Sequence, residues 1–280
     1  MTKRFLPISA IVLSITVMFS CKENSSGDTK INTSTNSELP VNMDDSSRAI
    51  IDRAIAYAGG YEAWNQKKTI SFDKKSISYD STGKVIRETN MHLDYMMKPE
   101  FRAKLTYKLN DTTITLIHDG QKARKFYNGQ MSDEQKDIDA AWNSSFGSQF
   151  VMCMPFKLKD PGIKAEYAGQ VTLSDGTPAQ VVKTAYTEGA GSNPNHVWYY
   201  YFEPGTGKLL ANSLYTKNYW DFTRYETFEK TGGLIMPSVR KGYVADTLNK
   251  PTRLVSVSTQ YNITFDKGLP EDYFKMPDGK

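Results

Sequence analysis

At 280 residues the chain is long enough for one large domain or two small ones, and its 35 basic against 31 acidic side chains give a formal net charge of +4. A balance this near zero, with no basic block, excludes a nucleic-acid partner held mainly by phosphate contacts. The 17 Tyr, 13 Phe and 4 Trp favour pleated, half-buried surfaces, so a mainly β chain is expected.

Lys3 and Arg4 precede an apolar run from Phe5 to Phe19, and Met18-Phe19-Ser20 leads into Cys21. This is the layout of a cleavable export signal. The run, about 15 residues, is shorter than the roughly 20 that a helix needs to cross a bilayer. A small residue directly before a cysteine resembles the lipobox of bacterial lipoproteins, although Met18 and Phe19 are bulkier than usual there. That resemblance implies a signal peptide over 1–20, lipidation of Cys21, and a body held on a membrane by acyl chains that each contribute about 0.8 kcal/mol per buried CH2. It places the protein in the cell envelope, as an outer-membrane lipoprotein facing the periplasm or the cell surface. Loss of Lys3 and Arg4 leaves 33 basic against 31 acidic side chains, a net of +2. With Cys21 lipidated, Cys153 stands alone and no internal disulfide forms.

Residues 21–43, rich in Ser, Thr and Asn, bury too little to offset their ordering entropy and read as a flexible polar tether. A single domain is expected over 44–280. Any of Asp44, Asp45, Ser46 and Ser47 supplies a cap for a helix over 48–58, with Ala49, Ile50, Ala54, Ile55 and Ala58 on one stripe and Gly59-Gly60 as its stop. A short second turn holds Tyr61, Ala63 and Trp64, and the first strand starts at Lys68.

Period-two alternation then dominates. Phe101, Ala103, Leu105, Tyr107 and Leu109 alternate without a fault, as do Val255, Val257, Thr259, Tyr261, Ile263 and Phe265. Polar Asp73-Lys74-Lys75 interrupts the first strand, where a bulge is expected. Turn signals such as Ser81-Thr82-Gly83, Asn128-Gly129 and Gly232-Gly233 are closely spaced, so neighbouring strands pair antiparallel. Ser132–Leu158 breaks the pattern. Ser132 and Gln135 are spaced like a capping box, and Ile138, Ala141, Trp142, Ser145 and Phe146 fall at helical spacing before Phe150, Val151 and Met154. One or two helices across the concave face of the sheet are expected, ended by Pro155.

No motif commits the chain to catalysis. Glu203–Lys208 lacks the glycine and the Ser or Thr of a phosphate loop and reads as a hairpin turn. His92, His118 and His196 show no ligand spacing, so no metal or other cofactor is implied, and His118-Asp119 reads as surface turn chemistry. No G-x-S-x-G is present. Cys153 among Val151, Met152 and Met154 reads as a small buried apolar residue. The aromatic run Trp198–Phe202, extended by Tyr219, Trp220, Phe222 and Tyr225, suits either a packed core or an apolar cavity, which look alike in sequence.

Ala-Tyr-Ala-Gly-Gly-Tyr-Glu-Ala-Trp (56–64) leading into Thr69–Phe72, Ile117-His-Asp-Gly120 with Phe126-Tyr-Asn-Gly129, and the closing Phe274-Lys-Met-Pro277 resemble the LolA-like superfamily over residues 44–277. Within it, the chain resembles the uncharacterised lipoproteins of Bacteroidota-type bacteria. The resemblance implies an incomplete antiparallel β-barrel, mainly β, with an N-terminal helix and helices across its concave face. It also implies a cavity for lipid or for lipoprotein acyl chains. Ile138, Ala141, Trp142, Phe146, Phe150, Leu105, Tyr107, Tyr199 and Tyr201 are the candidate lining residues. A non-catalytic module that binds an envelope protein, as in envelope-stress sensors, is the alternative, and an enzyme of unassigned class comes third.

Overall fold

A computed structural model of the protein describes residues 41–187, 196–215, 220–246 and 248–277. Cys21, the export signal and the tether as far as residue 40 lie outside the described residues, as does Tyr219.

Fourteen strands build one sheet: β1 (Asn42–Met43), β2 (Thr69–Tyr79), β3 (Val85–Met96), β4 (Arg102–Leu109), β5 (Thr112–His118), β6 (Ala123–Tyr127), β7 (Gln130–Ser132), β8 (Ile163–Thr172), β9 (Pro178–Tyr186), β10 (Trp198–Phe202), β11 (Leu209–Tyr215), β12 (Trp220–Thr231), β13 (Leu234–Ala245) and β14 (Pro251–Phe265). Their order is β1-β8-β9-β10-β11-β12-β13-β14-β2-β3-β4-β5-β6-β7. The outermost strands, β1 and β7, do not pair with each other, so the barrel stays open. Every neighbouring pair is antiparallel except β1 on β8. Asn42 and Met43, read from sequence as the end of the tether, thus belong to the sheet.

Helix α1 (Asp45–Tyr57) is capped by Asp44, whose Oδ1 accepts from the Ser47 N–H at 2.7 Å. Gly59 and Gly60 end it with φ of 110° and 94°. A side chain at Gly59 would meet the Gly233 carbonyl oxygen at 2.5 Å, so the stop is also a close approach to the hairpin between β12 and β13. Helix α2 (Tyr61–Asn65) follows as a short turn.

Helix α3 (Gln135–Met152) does not use the expected capping box. Glu134 occupies the cap without a side-chain bond, and the Ser132 hydroxyl donates instead to Asp137 Oδ2 at 2.7 Å. Lys125 Nζ at 2.8 Å and the Tyr127 hydroxyl at 3.0 Å donate to Oδ1 of the same buried carboxylate, pinning the first turn to β6 and β7. The buried stripe is Asp137, Ala141, Ser145, Gln149 and Met152, mostly small or polar residues that let the helix lie close on the sheet. A 3-10 turn, Phe156–Lys159, carries the chain onward, with Phe156 stacked on Trp64 at 4.7 Å.

The main core lies between the inner face of the sheet and these helices. Ile51, Ile70, Phe72, Leu93 and Leu105 are fully buried there, each worth about 1.5–3 kcal/mol by transfer. A smaller cluster of Val181, Tyr201, Ala211 and Phe222 sits on the outer face.

Strand parity departs from the sequence reading along β2 and β14. β2 pairs with β3 in unbroken register from Thr69 opposite Met96 to Ser78 opposite Arg87, so no bulge interrupts it at Asp73–Lys75. The bulge is in its partner: β14 shifts register between Tyr261 and Thr264, with Asn262 at φ 54°. Ile263, past the bulge, is buried in the main core. Before it, Val257, Thr259 and Tyr261 pair with Ile77, Lys75 and Asp73 on the outer face. The faultless alternation expected of β14 is therefore broken, and the inner face takes Lys74, Ser76 and Ser78 from β2 with Ser256, Ser258 and Gln260 from β14.

Candidate functional site

The inner face changes character along β12, β13, β14, β2 and β3. The cross-strand row of Phe72, Leu93, Leu105 and Leu116 is fully apolar. The next row runs Gln260, Lys74, Met91, Tyr107 and Ile114, polar at one end and apolar at the other. Beyond it come Tyr225, Arg240, Ser258, Ser76 and Thr89, then Thr223, Gly242, Ser256 and Ser78. The serines and threonines of these rows are half-buried, which makes the region a trough in the sheet rather than sealed core. The Ser76 and Ser258 hydroxyls face each other at 3.5 Å. A methyl group on Gly242 would meet Ser256 Oγ at 2.5 Å, so glycine keeps the floor clear.

Two cations stand in this floor. Arg240 is only 9% exposed and its Nε has no hydrogen-bond partner. The Gln260 amide, oriented to donate to the Ser238 carbonyl oxygen at 3.0 Å, accepts from Arg240 Nη2 at 3.1 Å. Burial lowers the Arg240 guanidinium from its usual range. Burial, and then the charge of Arg240, push the Lys74 ammonium down to about 8. No carboxylate pairs with either residue among the described residues. Glu226 on β12 binds Lys241 instead, at 3.6 Å. Asp221, four residues up β12 from Tyr225 and roughly 13 Å along the strand, is the inner-face carboxylate of that strand, and burial raises it to about 6.

Apolar groups line the other side. Trp142 and Phe150 of α3, with Met91, Tyr107 and Trp198, pack against the main core yet remain partly exposed. Trp142 and Phe146 reach the His118 ring at 4.9 and 5.1 Å, and Phe146 stacks on Phe101 at 4.5 Å. Phe150 lies 6.2 Å from both Tyr186 and Trp198. The helix therefore spans from β4 and β5 to β9 and β10.

Of the lining residues expected from sequence, Ala141 and Leu105 are fully buried in the main core. Tyr107, Trp142 and Phe150 stand at its edge, and Ile138 is half-buried one turn into α3. Tyr199 and Tyr201 are not brought to this face. They belong to the outer cluster, where the Tyr201 hydroxyl meets Ser213 Oγ at 3.1 Å and accepts from Asn249 at 2.5 Å. Trp198, Tyr200 and Phe202 turn inward in their place. Sequence reasoning passed over Lys74, Ser76 and Arg240; a charge inside a period-two strand was their available signal.

Other titratable groups have structural roles. His118 is buried rather than at the surface; Nδ1 accepts from the Gly120 N–H at 3.2 Å, and burial lowers its pKa. Burial pushes the Cys153 thiol up to about 12, which suits an inert apolar filler. On the outer face His92 bridges Asp73 at 2.7 Å and Asp94 at 3.1 Å. Ser71 and Tyr273 each donate to Asp94 at 2.6 Å, docking the C-terminal 3-10 turn Glu271–Phe274 on the sheet. Glu203–Lys208 forms the expected hairpin turn, closed by the Glu203 N–H on the Lys208 carbonyl oxygen at 2.9 Å.

A family model described as a family of unknown function, DUF6503, matches residues 33–262. No curated protein matches the chain in sequence. Among solved structures, a LolA superfamily protein from Nitrosomonas europaea is similar with a TM-score of 0.52 at 10% identity, covering 82% of this chain and 97% of that one. A DUF1329 family protein from Desulfovibrio piger ATCC 29098 is similar with a TM-score of 0.50 at 13% identity, covering 83% of this chain and 98% of that one. Both likenesses are of fold, and the open sheet crossed by α3 is a LolA-like half-barrel.

Proposed function

We propose that this chain, which belongs to the DUF6503 family of unknown function, is an envelope lipoprotein anchored through lipid on Cys21 that binds an acyl chain non-covalently in its half-barrel. The observation that carries this reading is the set of partly exposed apolar side chains Trp142, Phe150, Met91, Tyr107 and Trp198, packed against the edge of the main core. Large aromatic groups left partly open beside a packed core are suited to cover a chain of methylenes, at about 0.8 kcal/mol for each CH2 buried. The LolA-like fold supports the same reading by analogy. Its role is to hold and pass on lipid or lipoprotein acyl chains, with the tether limiting travel to one membrane.

Mass spectrometry of the full chain, sprayed natively and again after extraction with organic solvent, tests this. Near-stoichiometric co-purified lipid is expected, reduced several-fold in the double variant Trp142→Ala, Phe150→Ala as the apolar wall is removed. An apo mass, together with failure of added phospholipid and acylated peptide to bind, would direct attention to a protein partner instead.

A further inference from the structure

A buried and a half-buried cation that no carboxylate pairs with among the described residues are costly in a fold, because each loses hydration that no opposite charge replaces. Lys74 and Arg240 are such a pair. They belong to β2 and β13, on either side of β14 and one same-face row apart, so their backbones are roughly 12 Å apart. Their long side chains rise from the same face, since Lys74 is opposite Gln260 and Arg240 is opposite Ser258. An unpaired guanidinium Nε and the unpaired, buried hydroxyl of Tyr200 belong to the same inner face, with the Tyr225 hydroxyl beside the Arg240 guanidinium. The hydroxyls of Ser76, Ser256 and Ser258 add neutral donors, and Gly242 leaves room above the floor.

Position along the sheet gives the ligand's second property. Lys74 occupies the row that continues into Met91, Tyr107 and Ile114, one step from fully apolar Phe72. The cations thus mark the border between the polar rows and the aromatic wall of α3.

We propose that Lys74 and Arg240 receive the anionic head, a carboxylate or a phosphate, of an amphiphile whose chain lies along the α3 wall. This rests on the acyl-binding reading above and adds the chemical class of the ligand. The head ion-pairs with both cations while the serine hydroxyls donate to its remaining oxygens. Neutral lipids with the same chain bind without that contact.

Equilibrium binding of palmitate, methyl palmitate and inorganic phosphate to the full chain tests the site. In the wild type, palmitate is expected to bind about tenfold or more tightly than its ester, as charge-assisted bonds would give. Lys74→Met and Arg240→Met should each reduce that preference without weakening the ester, whereas Lys74→Arg should keep it. Equal affinity of acid and ester in the wild type overturns the head-group site and leaves acyl binding standing. Phosphate binding as tightly as palmitate overturns the lipid source in favour of a free anion. Failure of both palmitate and its ester overturns the acyl-binding reading itself. The acid-against-ester comparison needs no variant, so a substitution that unfolds the protein does not obscure it.

Discussion

At position 74 an ammonium stands in the row of Gln260 and Met91, next to Phe72, paired with no carboxylate among the described residues, and its pKa falls to about 8. Between pH 8 and 10.5 the unfolded chain therefore binds more protons than the folded one, and stability rises with pH across that window. Below pH 8 the full penalty applies. Lys74→Met should accordingly raise stability at pH 7 by about 1–3 kcal/mol in chemical denaturation, and a lower midpoint would contradict the burial argument. Asp221 shows the opposite sign. Its carboxyl is raised from 3.8 to about 6, so the folded state binds more protons in that interval and stability falls as pH rises through it. Asp221→Asn is expected to stabilise by about 1–2 kcal/mol at pH 7 and to make no difference near pH 3, where both side chains are neutral.

α3 depends on its first turn. Burial opposes ionisation of Asp137, but the bonds from Lys125, Ser132 and Tyr127 outweigh it and hold the carboxyl below the usual range. That contribution is present above the unfolded carboxyl value, about 3.9, and is lost as pH falls through the lower folded value. Asp137→Ala leaves Lys125, only 15% exposed, without its partner, at a cost of about 3 kcal/mol. Hydrogen exchange should show protection lost first over 135–152; uniform loss across the sheet would mean that the helix is not separately anchored. The capping box misled here because the Ser132 hydroxyl, which as a cap would accept from a backbone N–H, instead donates to the Asp137 carboxylate, and Glu134 takes the cap position.

Across the whole molecule, what was legible in the sequence was local. Turn residues such as Asn110 and Asn128, at φ 54° and 51°, mark where strands end, and the stop of α1 is written in Gly59-Gly60. Facing was less legible, because it depends on register. One left-handed residue, Asn262, exchanges the inner and outer faces of β14, and polar Ser256 and Ser258 replace Val257 and Thr259 inside. Five consecutive aromatic residues from Trp198 to Phe202 carry no parity signal, so Tyr199 and Tyr201 could not be assigned a face without the pairing of β10 with β9 and β11. The trough's cations were hidden by the same ambiguity.

The parallel pairing of β1 with β8 bears on how the body withstands mechanical load. Asn42 and Met43 lie alongside Lys164 and Ala165, and Asp44 grips both α1, through Ser47, and β8, through the Tyr167 N–H at 2.7 Å. A pull applied at Asn42 along the axis of β1 would load the β1–β8 ladder bonds together, in shear, instead of opening them one at a time. The load passes into β8, more than 120 residues away in sequence, before it reaches α1. A body pulled through the proposed tether would thus be restrained first at β1 and β8, away from α3.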